Sequence, residues 1–367
     1  ALNVIHNEFF NKIHKVNVFI AGVGNVGDEL LNILSKKQKQ LYENKNVELN
    51  VVGLANSKQA VFDKMGIDIA NYKSILNESK HSMITNEYVK NILVNKAENN
   101  IFVDCTTSTQ IAELYLELLE NGINVVAANK KAASGSYDYY KKLKSISNGK
   151  VKFLYETNAG AGLPVIETLK GLIESGDEII SIEAVLSGTL SYIFNNFNGA
   201  KKFSEIINDA KANGYTEPDP RDDLNGMDVL RKLLILIREC GIIIETNDIE
   251  KVNILPDSVF DNSSVDEFME KIKLYDEDFE NVRKDAAMEN KKLRYIAEYS
   301  NNQAKIVLKT VDVNSPFYNL VDTDNMVVIK TANYNKTPLV IQGPGAGIKV
   351  TAAGVITDIM KIINNIG

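Results

Sequence analysis

Between Gly214 and Lys232 the chain reads GYTEPDPRDDLNGMDVLRK. This sets Glu217, Asp219, Asp222, Asp223 and Asp228 beside Arg221, Arg231 and Lys232, just before the apolar run LLILI. A fixed carboxylate can hold an ammonium group. A partly desolvated lysine can move a proton, because burial lowers its pKa while a neighbouring carboxylate raises it. Asp228 and Lys232 are spaced i, i+4 and so share one helical face. Leu230, Leu233, Leu234 and Ile237 have core spacing on the same helix. The charges therefore sit at the mouth of a core helix, where they are costly unless paired or used. The competing reading is a solvated acidic loop followed by an ordinary helical ion pair. Pro218 and Pro220 stiffen the loop and five aliphatic residues follow Lys232 directly, which favours the chemical reading.

Composition narrows the chemistry. Among 367 residues there are three histidines, His6, His14 and His81, so a histidine base or triad has to draw on the first part of the chain. Lys, Asp, Glu or Tyr must otherwise move the proton. Two cysteines, Cys105 and Cys240, far apart, point to a reducing, cytoplasmic setting and away from a disulfide scaffold or a cysteine-based zinc site. A net charge of -7 argues against nucleic acid and anionic membrane as partners. No apolar run approaches the roughly 18 residues of a membrane span, and no signal-peptide pattern opens the chain. It begins at Ala1 without methionine, and reads as a piece cut from a longer polypeptide.

The elements that would position these groups follow in order. VNVFIA (Val16 to Ala21), then Gly22-Val23-Gly24-Asn25-Val26-Gly27, then DELLNILSKK, is a strand, GxGxxG and helix, the dinucleotide fingerprint in its required context. The second strand, Val47 to Leu54, ends in Ala55-Asn56-Ser57-Lys58 rather than in the acid that holds ribose hydroxyls, which favours NADP over NAD. Strands at Ile101 to Asp104, Val125 to Ala128 and Val151 to Tyr155, with a helix from Gln110 to Glu120, complete a doubly wound parallel sheet. Thr106 and Thr107 fall at a strand end, either facing the nucleotide crevice or capping a helix. Lys130 follows another strand, either as a surface charge or within reach of cofactor and substrate. Beyond Glu156, TNAGAGLP is a turn that could also offer carbonyls and a carboxylate to a monovalent cation. Strand Ile179 to Leu186, a helix capped by Ser187, helix Phe203 to Ala212, the helix ending at Cys240 and a mainly helical stretch from 248 to 290 come next. Strands at Leu293 to Glu298, Ala304 to Val311, Met326 to Thr331 and Pro338 to Ile341 form an oligomerising sheet. A second glycine turn, QGPGAG, precedes a last helix from about Lys349 to Ile363. The expected fold is α/β: a Rossmann-type doubly wound parallel sheet plus an α+β catalytic and dimerisation domain. Its boundaries are 1–15 for a lead-in, 16–155 with 343–367 for the NAD(P)-binding domain, and 156–342 for the substrate domain.

GVGNVG, VDCTTS, ANKKA, ETNAGAGLPVIETL, LSGTLSYIFN, GYTEPDPRDDLNGMDVLRKL and GPGAGIKVTAAGV, in that order, resemble homoserine dehydrogenase. VIHNEFF before the first strand is similar to the join in bifunctional aspartokinase–homoserine dehydrogenases. The resemblance implies reversible NAD(P)-dependent oxidation of L-homoserine to L-aspartate 4-semialdehyde, on the way to threonine and methionine, in a homodimer or larger assembly fused to an aspartokinase domain. It implies cofactor contacts at Gly22 to Val26, Thr106, Lys130, Gly345 and Gly347. Substrate contacts are implied at Gly188, Thr189, Tyr215, Glu217 and Asp223, and a catalytic pair at Asp228 and Lys232. A sodium site is implied at Glu156 and the carbonyls of Ala159, Ala161 and Leu163. Asn25 departs from the family, where a smaller residue is common. Lys232, tuned by Asp228, is expected to handle the proton, with Lys130 as the other candidate. Two further readings stand beside this one: a semialdehyde dehydrogenase using Cys105 as nucleophile, and a non-catalytic nucleotide sensor.

Overall fold

The computed structural model describes residues 13–82, 85–147, 149–261 and 264–366. His6 and most of the expected lead-in lie outside them. The chain divides into two compact units, Ala1–Asn158 with Ile348–Gly367, and Ala159–Gly347.

The first unit holds β1 (His14–Ala21), α1 (Asn25–Lys45), β2 (Val47–Ala55), β3 (Gln59–Phe62), β4 (His81–Ser82), α2 (Thr85–Asn95), β5 (Asn99–Asp104), α3 (Tyr115–Glu120), β6 (Asn124–Ala127), α4 (Tyr137–Ser147) and β7 (Phe153–Leu154). The sheet order is β4-β3-β2-β1-β5-β6-β7. β1, β2, β5, β6 and β7 are parallel, while β3 and β4 run antiparallel at one edge. Strand order reverses about β1, which has β2 on one side and β5 on the other. A crevice for ligands opens beyond the carboxyl ends of the strands at such a point. Val16, Val18, Phe19, Ile20 and Ala21 are fully buried, as a parallel strand covered on both faces requires. α1 buries Leu30, Leu31, Leu34 and Leu41 and stops at Asn46, whose left-handed φ of 52° lets its N–H return to the Leu41 carbonyl.

The second unit holds α5 (Val165–Glu174), β8 (Ile179–Val185), α6 (Gly188–Asn196), α7 (Phe203–Ala212), α8 (Met227–Glu239), β9 (Ile249–Lys251), α9 (Val265–Ile272), α10 (Asp276–Met288), β10 (Lys292–Ser300), β11 (Gln303–Val311), β12 (Asp324–Thr331) and β13 (Leu339–Pro344). Its sheet runs β13-β12-β8-β10-β11-β9. All its ladders are antiparallel except β9 on β11. α8 is the core helix of this unit: every residue from Lys232 to Glu239 is buried. Its entry turn places Gly226 at φ 70°, where a Cβ would lie 2.6 Å from the Tyr295 hydroxyl. After β13 the chain returns to the first unit as α11 (Ile348–Ile363). Ala352, Val355, Ile356, Ile359, Ile362 and Ile363 pack there into one core with β1, β2, β5 and α1.

Several elements differ from expectation. His14 and Lys15 belong to β1, paired with Val47 and Glu48, rather than to a lead-in. The antiparallel edge, β3 and β4, has no apolar run to announce it; β3 is held by its ladder to Gly53–Ala55. The helix expected over Gln110 to Glu120 is broken into Thr109–Ala112 and α3, and Tyr115 at the break turns its hydroxyl onto Asp104. The fifth strand shortens to β7. β9 pairs in the sheet within a stretch read as helical. Residues 343–347 fall with the second unit, because Gly343 and Pro344 end β13 and pair with Asn325 and Asp324.

Candidate active site

In the first unit the three fingerprint glycines do different things. Gly22 has φ 91° and donates its N–H to the Ala55 carbonyl at 2.8 Å, and Val23 donates to the same oxygen at 3.3 Å. A Cβ on Gly22 would meet the Cys105 carbonyl carbon and the Thr106 methyl, each at 2.8 Å. A Cβ on Gly27 would stand 2.1 Å from the Gly22 oxygen. Gly24 has no atom within 4 Å of that position, and it opens α1 with no side-chain cap. The α1 N-terminus, with Asn25 and Val26 as its first residues, thus presents amides and open ground, the arrangement that attracts a pyrophosphate.

Asn56 proves to be a turn former. Its Oδ1 accepts the N–H groups of Lys58 (2.8 Å) and Gln59 (2.7 Å), folding the chain from β2 into β3. Ser57 and Lys58 are left exposed on this turn. Ala55 is buried and contributes the carbonyl that Gly22 and Val23 use.

At the end of β5 a residue not singled out from the sequence is the hub. The fully buried Asp104 carboxylate accepts from the Tyr115 hydroxyl (2.6 Å), the Asn129 amide (2.9 Å) and the Thr106 N–H (2.7 Å). Burial raises its pKa, with these hydrogen bonds pulling the other way. Thr106 Oγ1 accepts the Ser108 N–H at 3.1 Å, and Thr107 is exposed. Asn129 also donates to the Ser108 carbonyl at 2.8 Å, so it ties the strand end carrying Thr106 to the one carrying the half-buried Lys130. The lone Asp in VDCTTS and the Asn in ANKKA were the available signals. Desolvation and the adjacent Asp104 carboxylate push the Cys105 thiol well above its usual range, which works against a thiolate nucleophile.

In the second unit Lys232 is 7% exposed and its Nζ has two partners, the Leu186 carbonyl at 2.6 Å and Asp228 Oδ2 at 2.8 Å. Leu186 follows β8 directly, Ser187 is the cap of α6, and Gly188 and Thr189 start that helix. Ser187 Oγ caps this helix by accepting the Leu190 N–H. Thr189 Oγ1 lies 2.6 Å from the Tyr215 carbonyl and 2.8 Å from Asp223 Oδ1. Asp223 Oδ2 accepts the Glu217 N–H at 2.8 Å. Burial raises the Asp223 pKa, and the negative charges of Glu217 and Asp228 add to this. Asp223 therefore braces the loop that carries Tyr215 and Glu217, both exposed, and the Tyr215 ring packs on Tyr192 at 4.7 Å. Asp219 is explained as well. It accepts from three donor groups of Arg221 (Nε, Nη2 and the backbone N–H), while Arg221 also reaches the Asp261 carbonyl, so this pair shapes the loop. Asp222 is exposed.

The glycine turn after β13 lies against the start of α6. A Cβ on Gly188 would meet the Thr323 carbonyl oxygen at 3.2 Å and the Ala346 Cβ at 3.5 Å. One on Gly345 would overlap the Asn325 amide, at 1.8 Å from its Cγ. Gly347 has φ 129°.

The expected cation ligands are placed as follows. The buried Glu156 carboxylate forms an ion pair with Lys361 at 3.7 Å, and its N–H donates to Asp358 Oδ2 at 2.9 Å. In the second unit Ala159 is buried, Ala161 has φ 52°, and the Leu163 carbonyl accepts the Val165 N–H at 2.9 Å. Among the described residues no three His, Cys, Asp or Glu side chains gather as metal ligands, and no helix is long and apolar enough to cross a membrane.

Fold and fingerprint define the class, a dinucleotide-binding α/β protein with a mixed-sheet second unit. Residues 22–156 match the homoserine dehydrogenase NAD-binding domain and residues 164–360 match homoserine dehydrogenase. A homoserine dehydrogenase from Schizosaccharomyces pombe is 38% identical over 362 residues, 96% of this chain and 96% of its own length. Bifunctional aspartokinase/homoserine dehydrogenase 2 of Zea mays is 40% identical over 371 residues, 100% of this chain but 40% of its own length. The chain thus spans about two fifths of the bifunctional relatives it matches. Among solved structures, a Candida auris protein of unknown function (37% identity, TM-score 0.87) is covered over 99% of its length by 96% of this chain. A hyperthermophilic archaeal homoserine dehydrogenase in complex with NADPH (25%, TM-score 0.72) has the same coverage. The chain belongs to the homoserine dehydrogenase family.

Proposed function

We propose that this chain reversibly oxidises L-homoserine to L-aspartate 4-semialdehyde with NADP, a step toward threonine and methionine. The observation that carries the reading is the buried Lys232 ammonium, bridging the Leu186 carbonyl and Asp228 next to the Thr189–Asp223–Glu217 cluster. The bound nicotinamide supplies the hydride acceptor. Gly22, Val23, Gly24, Asn25, Val26 and Gly27, with Thr106 and Thr107, would hold the dinucleotide: the open ground at Gly24 and the uncapped α1 N-terminus fit it. Lys232 in its neutral form takes the hydroxyl proton in oxidation and returns it in reduction, with Asp228 fixing the side chain at 2.8 Å. Glu217 offers a fixed anion to the substrate ammonium, and the α6 N-terminus at Gly188 and Thr189 offers N–H groups to the carboxylate. Lys130 is the second candidate for the proton. The deciding experiment follows absorbance of the reduced nicotinamide with homoserine, using NADP and NAD in parallel. No homoserine-dependent change with either would sink the reading.

Four finer points belong to the same reading. NADP is favoured because Ser57 and Lys58 stand exposed on a turn without an acid; a kcat/KM ratio in favour of NAD would reverse this. A monovalent cation at Glu156 has to compete with the Lys361 ammonium for the carboxylate, and activity measured across sodium and potassium concentrations tests it. The mixed sheet of the second unit, with Ile180 and Val340 exposed, is proposed as a homodimer surface, which sedimentation would check. The names of the bifunctional relatives support an aspartokinase domain in a longer chain, which mass measurement of the native polypeptide tests; the two free cysteines support a reducing, cytoplasmic setting.

A further inference from the structure

Asn325 is fully buried on β12, and its Oδ1 has no hydrogen-bond partner among the described residues. A primary amide can make about four hydrogen bonds. This one donates a single long one, Nδ2 to the Gly345 carbonyl at 3.5 Å. An orphaned buried acceptor is costly and calls for a donor that completes it. Its surroundings place it beside the start of α6. The amide lies flat under Gly345, so closely that any side chain there would overlap it. Ala346, next in the turn, and Thr323, two residues before Asn325, both touch the space beside Gly188 at the start of α6. The last ladder pair of β12 on β8 is Met326 with Val185, so Asn325 is the next residue toward Leu186, whose carbonyl holds Lys232. Asn325 thus backs the glycine turn at the corner where β8 hands over to α6.

We propose that Asn325 is a further substrate-positioning residue: its amide seats the 343–347 turn beside the α6 N-terminus, and its unpartnered Oδ1 accepts an N–H of the bound amino-acid substrate. This rests on the homoserine reading above.

The test uses the whole protein with three readouts: steady-state KM for homoserine, NADPH affinity by fluorescence titration without homoserine, and thermal melting. Asn325→Ala is expected to raise the homoserine KM roughly 10- to 100-fold, the effect of losing a hydrogen bond to a charged group. NADPH affinity should stay within about twofold, the spread expected when no contact is lost. Gly345→Ala alone should melt early because of the overlap. Asn325→Ala with Gly345→Ala removes the overlap and should regain the melting temperature while keeping the raised KM, which separates ligand contact from packing. An unchanged homoserine KM in Asn325→Ala overturns the proposal. So does a loss confined to NADPH affinity, or a KM in the double variant that recovers along with its stability. Wild-type protein inactive on homoserine would instead refute the functional reading.

Discussion

Replacing Lys232 with methionine tests the proton-handling assignment most directly. Methionine matches the length and apolar stem of lysine but cannot donate. Two contacts vanish, at 2.6 Å to the Leu186 carbonyl and 2.8 Å to Asp228. Leaving the Leu186 oxygen without this donor costs about 1–3 kcal/mol. Relieving the desolvation of a buried ammonium offsets part of that, so net stability should move by no more than about 2 kcal/mol and the protein should fold. Turnover should suffer far more. Loss of a positioned acid/base is worth about 10²–10⁴-fold, or about 2.7–5.4 kcal/mol of barrier. The assay is kcat and KM in both directions across pH, with circular dichroism to confirm the fold. Asp228→Asn supplies a second measurement. Removing the carboxylate takes away one of the two groups that hold the Lys232 Nζ, at 2.8 Å, so kcat should fall while the protein stays folded. A folded Lys232→Met protein with kcat within about tenfold of wild type, below the acid/base range, would refute the reasoning and turn attention to Lys130.

Gly27→Ala would push a methyl into the Gly22 oxygen, 2.1 Å from the ideal position, so NADPH titration should show affinity lost by at least about tenfold as the α1 N-terminus is displaced. Cys105→Ala should keep kcat within about twofold, as no covalent step needs the thiol; loss of activity there would revive the acyl-transfer reading. Asp104→Asn gives a pH signature. A carboxyl with a folded pKa raised above its unfolded one penalises the native state once pH exceeds the unfolded value of about 3.9. The stability of the variant relative to wild type, by urea titration, should therefore improve as pH rises from about 4 to about 7.

Local signals carried much of the architecture. The apolar run at Val16, the glycines after it and the leucine spacing of α1 each depend on neighbours in sequence, and so does the amphipathic switch at Lys232. What escaped depends on distant partners. β3 is four residues long and exists because Gly53–Ala55 pairs with it. Asn56 is the local exception: its oxygen closes the turn onto Lys58 and Gln59, two and three residues on. Asp104 draws on Tyr115 and Asn129, which only the sheet brings together. Asp219 and Asp223, alike in the acidic stretch, separate into a loop brace on Arg221 and a brace on Thr189, because the fold of the loop decides which one faces a hydroxyl.

The return of α11 to the first unit has a consequence for how the protein is made. The helix supplies six buried aliphatic side chains to a core whose other members come from residues 16–126. On a ribosome, β1 emerges before the second unit, yet the sheet face that α11 covers stays open until the second unit has been translated. The unit that starts first is completed last. Through that interval its uncovered apolar face is a natural target for a chaperone, and a chain cut short before α11 would leave the nascent nucleotide-binding sheet sticky.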